Sequence, residues 1–358
     1  ISIGTSAMTS GAATFDAFTD LTLAATASLA ASGAVDFDAD DDMTIDGNVT
    51  TTAAAAAGTI TLTADAGVAD GVGDFSLGAV TLQTGNSGTI TVEGENVTLG
   101  TAATIIDPNN AGTDGTLNVN ADLFGNGGGT ATIGKNADLT GVAILNVNNG
   151  TTNITFGMAG ADLNADVLND IDGDITISTN GSITIDDEQL GDAVTITDNV
   201  TLTGGNIVIT DAIDINGTLD ITSTNTDITI DGTLNGGATT ISSNTSIVAN
   251  KLITASGDVD VDSGTATTLS GGITADGFDI DVKAAGGTLK IETVTVQSAG
   301  AGNVALAGDD VDIDIAIDAG TGTLGITSDT TVITIDGTLS GGATTISSNT
   351  SIVANKLI

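Results

Sequence analysis

The sequence predicts an all-β chain wound as a parallel β-helix, a β-solenoid of about 20 residues per coil. Three observations carry that prediction: aliphatic triplets recur throughout, Asn-Gly and Asp-Gly dipeptides punctuate them, and one segment returns almost unchanged 105 residues later.

The triplets come first. Ile60-Thr61-Leu62, Val80-Thr81-Leu82, Val97-Thr98-Leu99, Ile175-Thr176-Ile177, Val194-Thr195-Ile196 and Leu219-Asp220-Ile221 each place an aliphatic on either side of a polar residue. In a strand the side chains alternate between faces, so both aliphatics point one way and the Thr or Asp the other. The steps Leu62 to Leu82, Leu82 to Leu99, Ile177 to Ile196 and Leu202 to Ile221 span 17 to 20 residues, which reads as one coil. Further triplets between them, such as Ile183-Thr184-Ile185, Ile207-Val208-Ile209 and Ile228-Thr229-Ile230, give each coil two or three strands.

Turn signals separate the strands. Asp46-Gly47, Asn149-Gly150, Asn180-Gly181, Asn216-Gly217, Asp231-Gly232, Asp276-Gly277 and Asp336-Gly337 tolerate positive φ and bend the chain sharply. Sandwich domains also use short strands, but they carry buried Trp or Tyr and longer strands. This chain has neither Trp nor Tyr and only seven Phe, so a narrow core of small aliphatics fits its 40% hydrophobic content.

The long repeat sets the organisation. Residues 230–253 read IDGTLNGGATTISSNTSIVANKLI, and 335–358 repeat them with Ser340 in place of Asn235, an offset of 105 residues (335 − 230). The expected organisation is one continuous solenoid over 1–358, a fragment of a longer array, with 149–253 and 254–358 as 105-residue units strongly similar over 218–253 and 323–358. The chain starts at Ile1 without a leader, so any secretion signal is expected to have been removed or to lie outside this stretch.

Composition restricts the function. The net charge of −41 comes from 46 acids against five Lys and no Arg, the opposite of what nucleic acid or an anionic membrane attracts. No apolar run reaches the roughly 18 residues of a membrane span. The absence of Cys removes disulfides and thiolate metal sites. With no His, Cys, Tyr, Trp or Arg, the usual bases and nucleophile partners are missing, and the chain is not expected to be an enzyme. The acid pairs Asp186-Asp187 and Asp309-Asp310 are the carboxylates to weigh for a polysaccharide-active alternative.

The acids that alternate with aliphatics are more informative. Asp36, Asp38 and Asp40 form one run, Asp258, Asp260 and Asp262 a second, Asp279 and Asp281 a third, and Asp310, Asp312 and Asp314 a fourth. With Val and Ile facing inward, each run projects its carboxylates from one outer face. Carboxylates about 4.8 Å apart repel by roughly 0.9 kcal/mol even at the dielectric of water, and Ca²⁺ prefers several such oxygens. These residues are therefore the candidate Ca²⁺ ligands. Outward Thr at 59, 61, 63, 201 and 203 suggests ice binding as a further alternative. Sequons at Asn48, Asn96, Asn149, Asn153, Asn180, Asn199, Asn216, Asn244 and Asn349 permit glycosylation, and Lys251 and Lys356, at equivalent repeat positions, are expected to pair with neighbouring Asp.

In its Ile-Thr-Ile/Leu triplets with Asn-Gly and Asp-Gly turns, the chain resembles the filamentous haemagglutinin-like and related β-strand-repeat bacterial exoproteins. That resemblance implies a right-handed parallel β-helix, export to the cell surface, and a structural or adhesive role. The expectation is an extracellular filament, sheath or surface-layer protein that self-associates into a polymer or lattice, with contacts to cell-surface glycans possible. The alternative is the stalk of a large adhesin.

Overall fold

The structure is a computed structural model that describes residues 1–4, 6–52, 58–66, 73–85, 88–99, 104–107, 115–121, 131–133, 137–138, 142–149, 154–156, 175–179, 182–185, 199–210 and 212–356. Among the described residues all regular structure is β-strand, and the strand pairs are parallel. The chain divides into two compact units, Ile1–Asp198 and Asn199–Ile358, each a β-solenoid.

Where the described residues cover a whole coil, it has three faces. In the second unit Leu219–Ser223 lies on the first face, Ile228–Ile230 on the second and Leu234–Gly236 on the third. One coil later Thr239–Ser243, Ile247–Ala249 and Ile253–Ala255 pair onto them in register. The first unit repeats the scheme, with Val35–Ala39, Met43–Ile45 and Asn48–Thr51 in the same order. Two strands of the second unit, Ile280–Ile291 and Val304–Ile313, run across the corner and serve both the first and the second face.

Register turns the triplets into a spine. On the first face of the second unit Leu202 aligns with Ile221, then with Ile241, Val261, Val282, Leu306 and Ile326, and all are at most 1% exposed. In the first unit the column runs Phe15, Phe37, Leu62, Val92, Val119, Val147, Ile177. Phe15 and Phe37 meet edge to face with ring centroids 4.9 Å apart. Each buried aliphatic contributes on the order of 1.5–3 kcal/mol. Two inward threonines interrupt the aliphatic columns: Thr239, between Leu219 and Val259, is buried with its hydroxyl lacking a partner, and Thr267, between Ile247 and Leu289, shares a hydrogen bond with Ser263 at 2.8 Å.

Coil length differs between the units. Successive members of the second-unit column are 19 to 24 residues apart, which matches the predicted coil. In the first unit the steps are 22 to 30 residues. Leu62 stacks on Val92, whereas Leu82 lies on the third face between Val49 and Ile106, and Leu99 lies on the second face against Ile133. The sequence steps Leu62 to Leu82 and Leu82 to Leu99 therefore cross from face to face, while Leu202 to Ile221 is a true coil step. Three similar triplets per coil make a strand-to-strand interval look like a coil interval.

The glycines of the turns act mainly through space. Of the Asp-Gly and Asn-Gly glycines among the described residues, Gly277 has a positive φ, 86°, and Gly47, Gly217, Gly232 and Gly337 do not. A methyl group at Gly47 would lie 2.4 Å from the Ala27 carbonyl oxygen and 2.7 Å from that of Ala24. The corner is tight because the coil below passes directly beneath it. Gly47→Ala should destabilise the first unit by about 1–3 kcal/mol. Gly325→Ala, where nothing stands within 4 Å of the added carbon, should be neutral or slightly stabilising. Thermal melts of the two variants check this, and equal melting temperatures would contradict the close-approach reading.

Candidate functional site

The outward columns carry the chemistry, because the register that stacks aliphatic on aliphatic also stacks polar on polar. In the first unit Asp36 sits between Thr14 and Thr61, and Asp38 between Asp16 and Thr63. Asp40 lies just beyond the same strand, its N–H donating to the Ala17 carbonyl at 2.8 Å. The column through Asp38 continues as Thr63, Glu93 and Asn120, with the Asn120 amide donating to Glu93 Oε1 at 2.7 Å.

In the second unit Asp260 lies directly beside Asp281 of the next coil, and Asp262 beside Lys283. Asp310 and Asp312 lie on Val304–Ile313, with Asp312 beside Lys290, and Asp314 follows the strand. The predicted alternation therefore holds: Val259, Val261, Val311 and Ile313 are buried while the acids face out. The four runs occupy three places: one lies in the first unit, two lie on adjacent coils of the first face of the second unit, and one lies on its second face.

Asp258 and Asp279 have a different local task. They sit at the corner before the first face, where Asp258 Oδ1 accepts the Asp279 N–H at 3.0 Å. Asp279 Oδ1 in turn accepts the Asn303 N–H at 2.7 Å and its amide at 3.1 Å. Asn303 Oδ1 passes the pattern to the Thr323 N–H at 2.9 Å. Side-chain oxygens thus take the backbone donors that a bend leaves unpaired. Several sequon asparagines work the same way. Asn48 Oδ1 accepts from Thr81 N–H at 2.9 Å, and Asn199 Oδ1 from Thr218 N–H at 2.9 Å. Asn96 donates to Asp74 at 2.6 Å, and Asn244 to the Thr224 carbonyl. Asn216 is exposed. Asn153, Asn180 and the pair Asp186-Asp187 lie outside the described residues.

The carboxylates respond to this crowding. Burial pushes Asp38 up from its ordinary pKa, helped by Asp36 and Asp16. Burial also raises Asp260, with Asp281 and Asp262 adding repulsion, and raises Asp281, with Asp262 adding to it. Asp312 is raised by burial and then by Asp314, against an opposing Lys290. Two groups move the other way: Asp227 is lowered by hydroxyl hydrogen bonds from Ser246 and Thr245, and Glu292 by Lys290 and Ser270. Lys290 and Glu292 form an ion pair at 2.6 Å. The expected pairing of Lys251 and Lys356 with Asp does not occur among the described residues, since both stand exposed at turns.

The sequence missed one convergence. Among the described residues the three carboxylates whose oxygens lie within 4.8 Å of one another are Asp20, Asp41 and Asp42, all exposed. The pairing of Leu21 with Met43 brings Asp20 beside Asp42 of the next coil. The run Asp40-Asp41-Asp42 was the visible half of the signal; the other half required the coil length. The Thr array expected of an ice-binding face is interrupted, because Thr61 and Thr91 stack between Asp36 and Asn118.

No family model, no curated protein and no solved structure matches the chain. The likeness to haemagglutinin-like exoproteins therefore rests on strand period and turn dipeptides.

The pKa directions predict the pH dependence of stability. A carboxyl whose folded pKa is raised stabilises the fold below its unfolded value, and that contribution is lost as pH climbs through the folded pKa. Asp38, Asp260, Asp281 and Asp312 therefore make the melting temperature rise as pH is lowered from 7 toward about 4.5, above the unfolded carboxyl range near 3.9. Asp227 and Glu292 oppose this only at lower pH, as they protonate. The double variant Asp260→Asn, Asp281→Asn should melt higher than the parent at pH 7 and show a smaller pH effect. Calorimetry across pH 4.5–7.5 decides it, and a flat profile in the parent would remove the claim.

Proposed function

We propose that this chain is a structural protein of the cell exterior, a unit of a filament, sheath or surface layer in which β-solenoids associate side by side or end to end. The observation that supports this best is the regular outer surface, where register-matched columns such as Asp220, Thr240, Asp260, Asp281 and Thr222, Ser242, Asp262, Lys283 run from coil to coil. A surface with one period along its length suits lateral association better than recognition of a single small molecule. The solenoid fold is compatible with an extracellular repeat protein. Electron microscopy of the native material tests the reading: ordered polymers or sheets support it, and isolated particles at every concentration and ionic strength would refute it.

Divalent cations belong to the same proposal. Stacked carboxylates such as Asp260 and Asp281 repel, and Ca²⁺ held among the predicted acids would relieve that repulsion on a face or between neighbours. Added Ca²⁺ should raise the melting temperature beyond the effect of monovalent salt at equal ionic strength. Asp260→Asn with Asp281→Asn should reduce the excess. An identical rise with both salts would leave these faces simply solvated.

A further inference from the structure

The third face of the second unit differs from the first in charge. Its outward column runs Asp214, Asn235, Thr254, Thr274, Gln297, Asp318 and Ser340. Four consecutive coils, from Asn235 to Gln297, present amides and hydroxyls with no charge. Over the same coils the first face carries Asp260, Asp262, Asp281 and Lys283.

The margins of this neutral strip carry exposed apolar side chains. Leu252, just before Ile253–Ala255, is 37% exposed, and Val294, just before Val296–Gln297, is 42% exposed. On the opposite margin Phe278, four residues after Thr274, is 40% exposed. Each margin also carries a charge: Lys251 adjoins Leu252, and Asp276 precedes Phe278 by two residues. Lys251 makes no ion pair among the described residues. Asp276 Oδ1 accepts the Ala299 N–H at 3.1 Å and faces the Gln297 amide at 3.4 Å.

We infer that this strip is a docking face for a second copy of the chain, related by a two-fold axis parallel to the solenoid axis. Such an axis keeps the two solenoids parallel and brings opposite margins together. Leu252 and Val294 of each copy then meet Phe278 of the other, and Lys251 meets Asp276. An antiparallel pair would instead place Lys251 on Lys251 and Asp276 on Asp276. Between the margins, Asn, Thr and Gln both donate and accept, so the strip is complementary to itself at the same coil spacing. The first face, by contrast, would oppose a copy with Asp220, Asp260, Asp262 and Asp281. Four coils at about 4.8 Å make a strip of roughly 19 Å. With strands of three residues, about 10 Å wide, it covers roughly 190 Å², well below the roughly 800 Å² per partner of a stable complex, so one pair is weak and repetition along an array adds to it. The inference rests on the proposal of lateral association and names the face and the symmetry.

The absence of cysteine allows a direct test. Thr274→Cys lies at the centre of the strip and should give a disulfide-linked dimer on mild oxidation, whereas Asp260→Cys and Asp312→Cys on the other faces should stay monomeric. Sedimentation should show Lys251→Glu and Asp276→Lys each weakening association about tenfold, with the double reversal restoring it. Circular dichroism melts confirm that the variants fold. Equal cross-linking at 260, or association that survives both single reversals, overturns this face while leaving lateral association alive. A monomer under all conditions overturns both. A monomer that retains a neutral polysaccharide, and loses it on Phe278→Ala, reassigns the strip to glycan and overturns the inference.

Discussion

The parallel hydrogen-bond register between successive coils governs everything else in this molecule. A slip of one residue would exchange the two sides of a strand, driving Asp260 and Asp262 inward and Val259 and Val261 outward. The register is therefore held by the burial of every aliphatic in the column at once. The same constraint forces like onto like outside, so Asp281 lands beside Asp260 because Val282 must land beside Val261. Outer chemistry follows from inner packing, and the raised carboxyls at Asp38, Asp260, Asp281 and Asp312 record its cost.

The long repeat separates what a coil makes for itself from what its neighbour supplies. Ile247 and Ile352 occupy equivalent positions in near-identical sequence, yet Ile247 is fully buried and Ile352 is 45% exposed. Ile247 lies under the coil that contains Thr267, and the described residues place no coil over Ile352. By contrast the corner bond persists in both copies: Asn250 donates to Asp231 at 2.7 Å and Asn355 to Asp336 at 2.5 Å. Corners are built between a coil and the one before it, whereas core burial needs the next coil as well. Stability in such a chain is a sum over adjacent coils.

The legible part of the fold was the part with period two. Alternation in 258–262 and 310–314 located buried Val and Ile and outward Asp residue by residue. Coil length was legible only where turns are short, as at Leu202 to Ile221, because triplets on three faces look alike. The turn dipeptides were visible, but their reason differed: a carbonyl beneath Gly47 matters there, and positive φ matters at Gly277. Partners from other coils stayed hidden, so Asp258 and Asp279 read only as candidate Ca²⁺ ligands although they cap the next coil, and Asp20 could not be joined to Asp42. The neutral third face was hardest to see, since its signal is missing charge spread over strands some 20 residues apart.

Charge placement gives the outer surface a direction. With 46 acids and five Lys, nearly any two surfaces of this chain brought together repel, and hydroxyls alone would not select one approach over another. Like charges across a contact cost several kcal/mol and so exclude wrong pairings more sharply than neutral polar contacts favour right ones. In the proposed pair, the carboxylates on the first face of the second unit would do by repulsion what the modest strip from Asn235 to Gln297 could not do by attraction. In that pair the apolar margins would supply contact energy, the charges at Lys251 and Asp276 polarity along the axis, and the first-face acids would turn copies away from their side.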